Sequence, residues 1–233
     1  MLDKFISSYR LQDIRKIEEI EDTQFLVLKK AFEKVNNKSL FVFLVVQNAL
    51  LSYQLSNTWE NRWKEFAEYV VKNQNSLNKD NLLDWWKEFL LSCKWNRRLL
   101  NMKIKRLEKT LILYDDFLST SNIEYYYNNM LELNQLLANK MKQKNNAKTI
   151  VFAVKMYGYV SRIMLDKFIP YPMNIAIPID SRITKIYEME TRKEKFTNKQ
   201  IEEYFMKLSY KYKIPPLHLD SLLWVKFWKD RKV

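Results

Sequence analysis

The sequence predicts an all-α fold assembled from amphipathic helices. The chain of 233 residues contains one glycine and five prolines, so it holds few of the residues that tight β-turns require. Hydrophobic residues make up 47% of the chain and aromatic residues 15%, which is typical of a globular protein rather than a disordered one. This length suits one large helical domain or two small helical subdomains that share a cleft.

The charge balance indicates a polyanionic partner. The chain has 40 Lys+Arg against 27 Asp+Glu, a net charge of +13. Nucleic acid is the simplest partner for such a charge, although an anionic membrane surface would also fit. One cysteine, Cys93, excludes an intramolecular disulfide and a cysteine-ligated iron–sulfur cluster. The first residues are charged and amphipathic, so we expect no signal peptide there. These observations lead us to expect an intracellular protein. With only one histidine, His218, the sequence offers no cluster of metal ligands, so we expect no metal and no cofactor.

The first third of the chain predicts helices that build a core. Residues 8–35 fit one or two amphipathic helices, with Asp22 or Thr23 capping the second. Residues 39–56 are apolar around most of a helical circumference, which predicts a buried central helix. A membrane span is the alternative interpretation of this segment. Its uninterrupted apolar run is too short for that, because Gln47 and Asn48 break it.

The middle of the chain combines basic and aromatic helices. Trp63 and Phe66 fit simple core packing, and residues 81–92 form another amphipathic helix. The segment 94–109 carries seven basic residues against one acid, so it is either an ordinary solvated face or a surface that follows phosphates. A helix over 122–138 then leads into a linker that is basic.

This linker carries Lys140, Lys142 and Lys144 and contains no acidic residue. Helix, basic linker and helix form an arrangement that can hold a nucleic-acid backbone with lysines and the exposed amides of the second helix. The only glycine of the chain, Gly158, lies well inside the following helix, so this linker contains none.

Lys148 opens that second helix and is a candidate amine nucleophile. Lys148, Phe152 and Lys155 share one helical face at i, i+4 and i+7. The positive end of the helix dipole and partial burial both lower the pKa of a lysine at this position, as an amine nucleophile requires. An ordinary solvated lysine at a helix start is the simpler alternative, and spacing alone does not decide between them.

Asp180 and Asp220 lie near the starts of two later helices. Asp180 follows a proline-rich stretch and is a suitable N-cap, while its carboxylate could also face a cleft. Residues 197–212 predict a helix with a capping box, and Pro215 and Pro216 suit the first turn of the last helix. Asp220 and Trp224 share a face of that helix at i, i+4.

Several sequence blocks together resemble a known family. The sequence N-A-K-T-I-V-F-A-V-K-M followed by I-P-I-D-S-R-I is similar to the helix-hairpin-helix superfamily of DNA glycosylases, and closer to the archaeal 8-oxoguanine DNA glycosylases, AGOG. Further similar blocks are D-T-Q-F, N-A-L-L-S-Y-Q-L-S with E-N-R-W, N-R-R-L-L-N-M-K-I-K-R and I-P-P-L-H-L-D-S-L-L-W. They occur in order over nearly the whole chain.

The resemblance implies a fold, an activity and a partner. It implies two helical subdomains that flank a cleft, in a single domain of residues 1–233. The atypical hairpin would span about 122–165, and the chain termini and first helices would lie in the second lobe. The implied enzyme acts as a monomer on double-stranded or single-stranded DNA that contains 8-oxoguanine. It removes the base and then cuts the strand by β-elimination. A non-catalytic basic helical nucleic-acid-binding protein is the alternative.

The resemblance also assigns roles to individual residues. Lys148 would attack the anomeric carbon, with Lys155 as the rival nucleophile. Asp180 would stabilise positive charge on the sugar and help to keep Lys148 unprotonated. The base pocket implied by the family consists of Gln24, Trp63, Phe152, Lys155, Asp220 and Trp224. A binding module would not need Lys148 and Asp180 together.

Overall fold

The described parts of the chain consist of helices joined by turns and irregular segments, with no β-strand among them. The structure is a computed structural model that describes residues 1–54, 59–75, 77–94 and 98–228. The α-helices in these ranges are α1 (Leu2–Ile6), α2 (Leu11–Glu21), α3 (Thr23–Lys34), α4 (Lys38–Leu50), α5 (Trp59–Asn73), α6 (Leu82–Ser92), α7 (Leu100–Thr110), α8 (Tyr114–Leu118), α9 (Thr120–Asn128), α10 (Met130–Met141), α11 (Lys148–Leu165), α12 (Ser181–Thr191), α13 (Asn198–Tyr212) and α14 (Pro216–Leu222). A 3₁₀ turn (Leu111–Leu113) precedes α8, and a π-helical segment (Leu223–Phe227) extends α14. The predicted all-α class is confirmed.

The first lobe is built around α4, as its apolar sequence predicts. Every residue from Leu40 to Leu50 is buried, and α4 packs mainly along α11. The buried amide of Gln47 donates to Thr110 Oγ1 at 2.6 Å and accepts from Trp86 Nε1 at 2.7 Å, so this polar side chain is satisfied inside the core. Among the helices of the described ranges, none combines the length and hydropathy needed to cross a membrane.

The second lobe joins the two ends of the described chain around a separate core. Helices α1 and α2 supply residues such as Leu2 and Ile14, and α12 to α14 supply residues such as Ile183, Phe205 and Leu222. Helices α3 to α11 supply almost all of the first core. The two helical subdomains that the sequence predicted are therefore formed by different stretches, and the segment after α11 connects them.

A buried ion cluster links the lobes. Glu18 of α2 accepts a hydrogen bond from Arg162 of α11 at 2.9 Å and lies 2.8 Å from Nδ1 of His218 in α14. Burial opposes the charge on Glu18, but His218 and Arg162 outweigh it and lower the Glu18 pKa to about 2. His218 Nε2 accepts from the Tyr171 amide, so both ring nitrogens of this buried histidine have partners.

The single glycine allows the connecting segment to lie against α11. A Cβ atom on Gly158 would come within 2.3 Å of the Tyr171 ring. The hydroxyl of Tyr171 donates to the Lys155 carbonyl at 2.6 Å, so this ring is fixed on the helix that carries Lys148. Any side chain at position 158 would displace it.

The hairpin differs in two details from the helix predicted over 122–138. That segment divides into α9 and α10 at Asn129, because the Asn128 and Asn129 side chains donate to carbonyls of the preceding turn and end the helix. Helix α10 then closes with Lys142 in the left-handed conformation, φ 52°, and the Gln143 amide donates to the Ala138 carbonyl. A lysine thus occupies the position where glycine usually ends a helix.

Candidate active site between the two lobes

A small cavity lies between the lobes and contains most of the predicted site. It is lined by Gln24, Lys148, Phe152, Lys155, Pro178, Asp180, Asp220 and Trp224. The first four residues belong to the first lobe and the last four follow α11 toward the second lobe. Seven of the eight residues expected in the catalytic site and base pocket therefore meet here, from segments that are far apart in the sequence.

Lys148 stands at the start of α11, where the helix dipole is positive. Ala147, the N-cap residue, offers no side chain to the first amides of the helix. Lys148 is half-buried, and burial lowers its pKa although Asp180 and Asp220 oppose this. The lowered pKa expected from the sequence is thus present. The expected help from Asp180 is wrong in direction, because a nearby negative charge favours the protonated amine.

Asp180 caps α12 and faces the cavity at the same time. Its Oδ1 accepts hydrogen bonds from the amides of Arg182 and Ile183, both at 2.9 Å, as an N-cap carboxylate does. Neither bond uses Oδ2. The carboxylate is 9% exposed and lines the cavity, so the two interpretations of this residue coexist.

A buried ion pair forms the floor of the cavity. Lys155 Nζ lies 2.7 Å from Asp220 Oδ2, and both side chains are 2% exposed. Burial opposes the charge on Lys155, but Asp220, Asp22 and Glu18 outweigh it and raise the Lys155 pKa. Burial raises the pKa of Asp220 to about 6, with Lys155 acting against it. Asp220 Oδ1 is buried and has no hydrogen-bond partner among the described residues, so it can accept a bond from a ligand.

A second set of buried polar groups supports this floor. Tyr159 donates to Asp22 Oδ2 at 2.9 Å and lies 2.8 Å from the Ser221 hydroxyl. Asp22 Oδ1 accepts from the Gln24 amide at 2.8 Å and thereby caps α3. These bonds connect α11, α14 and the start of α3. They hold Gln24 at the cavity, where its side chain makes no hydrogen bond to another described residue.

Aromatic side chains form the walls, and Trp63 does not line the cavity. Phe152 and Trp224 line it directly. Trp63 is fully buried behind Phe152, with ring centroids 6.3 Å apart, so its predicted contact with the base would require Phe152 to move. Arg182, which the sequence did not single out, lies with its guanidinium carbon 3.4 Å from the centroid of Trp224.

The hairpin lysines border a wider groove that also reaches Lys148. Lys142 and Lys144 line this groove together with Lys199 at the start of α13, while Lys140 does not line it. Within the basic segment 94–109, Arg106 donates to Gln143 Oε1 at 2.5 Å and to Thr149 Oγ1 at 2.6 Å. Arg106 thus fastens the hairpin next to Lys148, a structural role that the sequence did not suggest.

Comparisons with known proteins identify the family to which the chain belongs. A sequence profile described as AGOG, N-glycosylase/DNA lyase, matches residues 3–233. The chain belongs to the AGOG family. It is an N-glycosylase/DNA lyase, and the alternative of a non-catalytic binding protein is not favoured.

Curated relatives from two archaea resemble this AGOG chain over most of its length. An N-glycosylase/DNA lyase of Methanococcus maripaludis is 42% identical over 90% of this chain and 80% of its own length. Its counterpart in Thermococcus kodakarensis is 38% identical over 99% of this chain and 86% of its own length. The crystal structure of Pa-AGOG, an 8-oxoguanine DNA glycosylase from Pyrobaculum aerophilum complexed with 8-oxoguanosine, has the same fold. Its TM-score is 0.79 at 20% identity, covering 96% of this chain and 84% of that one.

Several residues around the AGOG cavity could not be found from short sequence motifs. Glu18 carried one usable signal, since it lies on the same face of α2 as the buried Ile14 and Ile17. Arg162 carried none, because it shares its face of α11 with Lys155. Their pairing could not be predicted, because 144 residues separate them. Pro178 and Arg182 lie within I-P-I-D-S-R-I, but nothing in that block indicates that one lines the cavity and the other covers Trp224.

Proposed function

We propose that this enzyme removes 8-oxoguanine from duplex DNA and then cuts the strand at the resulting abasic site. The observation that carries the proposal is the buried Asp220 Oδ1, which has no partner within the described residues and lies beside Lys155 in the cavity. A purine edge offers N–H donors to such an acceptor, and the Gln24 amide can both donate and accept. The complex of Pa-AGOG with 8-oxoguanosine supports the choice of base.

The base has to leave the duplex to reach this cavity. The enzyme rotates the damaged nucleotide out of the stack and holds the base between the two lobes. Phe152 and Trp224 contact its faces, and Gln24, Lys155 and Asp220 contact its polar edge. We assign to Trp63 a place in the same pocket behind Phe152, which it reaches if Phe152 turns when the base enters.

Lys148 is the proposed nucleophile. Its neutral amine attacks C1′ while the bond from C1′ to the base nitrogen breaks, and the base departs with that electron pair and takes up a proton. Opening of the sugar ring gives an imine between C1′ and the lysine nitrogen. The Asp180 carboxylate stabilises the positive charge that develops on the sugar. The lowered pKa of Lys148 increases the fraction of amine able to attack.

The imine makes strand cleavage possible. It acidifies the proton on C2′, and loss of that proton expels the 3′ phosphate oxygen by β-elimination. Water then releases the lysine and leaves an unsaturated aldehyde on the sugar. Lys155, the rival nucleophile, is unsuited to this chemistry, because its ion pair with Asp220 and its raised pKa keep the amine protonated.

The hairpin is the proposed site of backbone binding. Lys140, Lys142 and Lys144 attract the phosphates, and the first amides of α11, which Ala147 leaves uncapped, donate to one of them. We further propose that residues 1–233 work as a single domain, with the hairpin over about 122–165. The enzyme would act as a monomer inside the cell.

Borohydride trapping tests this function directly. The reagent reduces the imine to a stable amine, so a protein–DNA adduct should form on duplex DNA carrying one 8-oxoguanine. Undamaged and uracil-containing duplexes serve as controls. Adducts on all three duplexes would contradict the proposed base preference. Tight binding to the 8-oxoguanine duplex without any adduct would contradict the lysine mechanism.

A further inference from the structure

A second concave surface lies on the first lobe, away from the base cavity. The facing sides of α3 and α5 form a groove that is open to solvent. The base cavity uses Gln24 at the start of α3, and the groove begins one turn later at Val27. The two sites share no residue, so the glycosylase reaction does not account for the groove.

Each wall of the groove is one helical stripe. On α3 the lining residues are Val27, Lys30, Ala31 and Lys34, at i, i+3, i+4 and i+7. Ala31 is 4% exposed and forms the floor, while Val27 is half-buried and both lysines are exposed. The stripe is about 11 Å long at 1.5 Å per residue, which is two helical turns.

Helix α5 repeats this pattern on the opposite wall. Lys64, Ala67, Glu68, Val71 and Lys72 line it at i, i+3, i+4, i+7 and i+8. Ala67 is 6% exposed at the floor and Val71 is half-buried above it. Small side chains at the bottom and valines along the sides form an apolar surface. A third helix can pack on this surface by the usual interdigitation of ridges and grooves.

The rim of the groove carries strong positive charge. Four lysines, Lys30, Lys34, Lys64 and Lys72, face one acid, Glu68. None of these lysines forms an ion pair with a carboxylate in the described parts of the chain. Other exposed lysines do: Lys79 binds Asp115 at 2.5 Å and Lys211 binds Asp3 at 2.7 Å. The rim therefore offers charges that no described carboxylate neutralises.

We propose that this groove docks an acidic amphipathic helix of a partner protein. Such a helix would place apolar residues at i, i+3, i+4 and i+7 on the alanine and valine floor, and Asp or Glu beside the lysines. A DNA strand would match the lysines but would press its sugar–phosphate backbone on an apolar floor. The apolar floor together with the charged rim thus favours a helix over a nucleic acid.

Peptide binding to the full chain tests the proposal. The probe is a fluorescein-labelled, end-capped peptide of about 14 residues, with leucines at i, i+3, i+4 and i+7 and glutamates around them. Fluorescence anisotropy compares it with a peptide of identical composition whose leucines do not share a face. We expect the amphipathic peptide to bind at least about tenfold more tightly. Equal affinities would overturn the proposal, since charge alone would then explain the binding.

Charge reversal locates the binding surface. Lys30→Glu/Lys34→Glu changes the rim, and Lys16→Glu/Lys29→Glu makes the same change of charge at exposed lysines outside the groove. We expect about a tenfold loss of peptide affinity in the first variant and less than about twofold in the second. An equal loss in both would overturn the proposal.

Two further probes test whether the groove binds a nucleic acid or a membrane instead of a helix. A single-stranded oligonucleotide and phosphatidylglycerol vesicles are tested with the same two variants. The proposal predicts that the rim and control variants weaken these two ligands equally. Selective loss with the rim variant would instead identify a nucleic-acid or membrane site, and would overturn it. Val71→Ser keeps all charges but makes the apolar surface of the groove more polar. It should weaken peptide binding by about threefold.

Discussion

Two lysines on one face of α11 behave in opposite ways. Lys148 lies at the mouth of the cavity and Lys155 at its floor, two helical turns further along. Burial lowers the pKa of Lys148 and outweighs Asp180 and Asp220. Burial also acts on Lys155, but Asp220, Asp22 and Glu18 outweigh it and raise the pKa.

The contrast shows that burial alone does not make a lysine reactive. The buried amine at the floor has a carboxylate at 2.7 Å that fixes both its charge and its position. The amine at the mouth has carboxylates near it, yet they do not fully compensate its desolvation. The helix thus presents the proposed nucleophile and an electrostatic anchor seven residues apart, and the neighbouring carboxylates determine the protonation state of each.

Removing each amine in turn should distinguish the roles of the two lysines most clearly. Lys148→Gln should abolish the trapped adduct and reduce strand cleavage by about 10³-fold or more, because the covalent step is lost. Lys155→Gln should still form an adduct on DNA that carries a preformed abasic site, where no base needs to be held. If the adduct survived in Lys148→Gln and vanished in Lys155→Gln, the assigned roles would be reversed.

Loss of the charge at Lys155, on the floor of the cavity, should destabilise the protein more than loss of the charge at Lys148, at its mouth. Lys155→Met leaves the Asp220 carboxylate buried and unpaired, which should lower the free energy of unfolding by about 3 kcal/mol or more. Lys148→Met at the half-buried mouth should cost less than about 1 kcal/mol. Urea denaturation measures both. Adding Asp220→Asn to Lys155→Met should restore part of the loss, and the absence of any restoration would argue against an unpaired charge as the cause.

The pH dependence of borohydride trapping tests the pKa of Lys148, at the mouth of the cavity. The reacting form is the neutral amine, so the trapping rate on an abasic site should rise with pH and level off above the Lys148 pKa, which burial holds below the usual lysine value. Asp180→Asn keeps a good N-cap but removes the negative charge that raises this pKa. The plateau rate should fall about 100-fold, and the midpoint should move to lower pH.

A midpoint that moved to higher pH in Asp180→Asn would show that Asp180 favours the neutral amine after all. Asn at position 180 should leave thermal unfolding nearly unchanged. This makes the variant a clean test of charge rather than of helix capping.

The smallest expected effect lies in the hairpin next to the mouth. Lys142→Gly relieves the left-handed conformation at the end of α10, φ 52°, and should raise the free energy of unfolding by about 0.5–1 kcal/mol. The same substitution removes a proposed phosphate contact, so DNA affinity should fall by about twofold to fivefold. Lys213→Gly, at the equivalent end of α13, should give the stability gain without the loss of DNA binding.

Periodicity predicted those parts of the molecule that depend on neighbouring residues. The buried α4, the capping box at Thr197 and the N-cap at Asp180 all follow from residue types within one or two helical turns. The shared face of Lys148 and Lys155 does so too. The break at Asn129 was missed, because it results from asparagine side chains competing with the helix for its carbonyls.

Contacts between distant segments could not be predicted by periodicity. Glu18 meets His218 across 200 positions, and no local pattern encodes that encounter. The resemblance to a family brought Asp180, Asp220 and Lys148 together before the structure did. It did not indicate that Trp63 lies behind Phe152 or that Arg182 covers Trp224.

The division of the two cores has a consequence for how the chain is made on the ribosome. The first core draws nearly all its residues from 25–176, so it can condense while synthesis continues. Leu2 and Ile14 can pack only after partners such as Ile177 and Ile183 have been synthesised, a delay on the order of 10 s at ordinary translation rates. Asp180 and Asp220 arrive in the same late segment. A nascent or truncated chain would therefore expose Lys148 without its carboxylates, and cleavage of DNA would begin only after the last helix has docked.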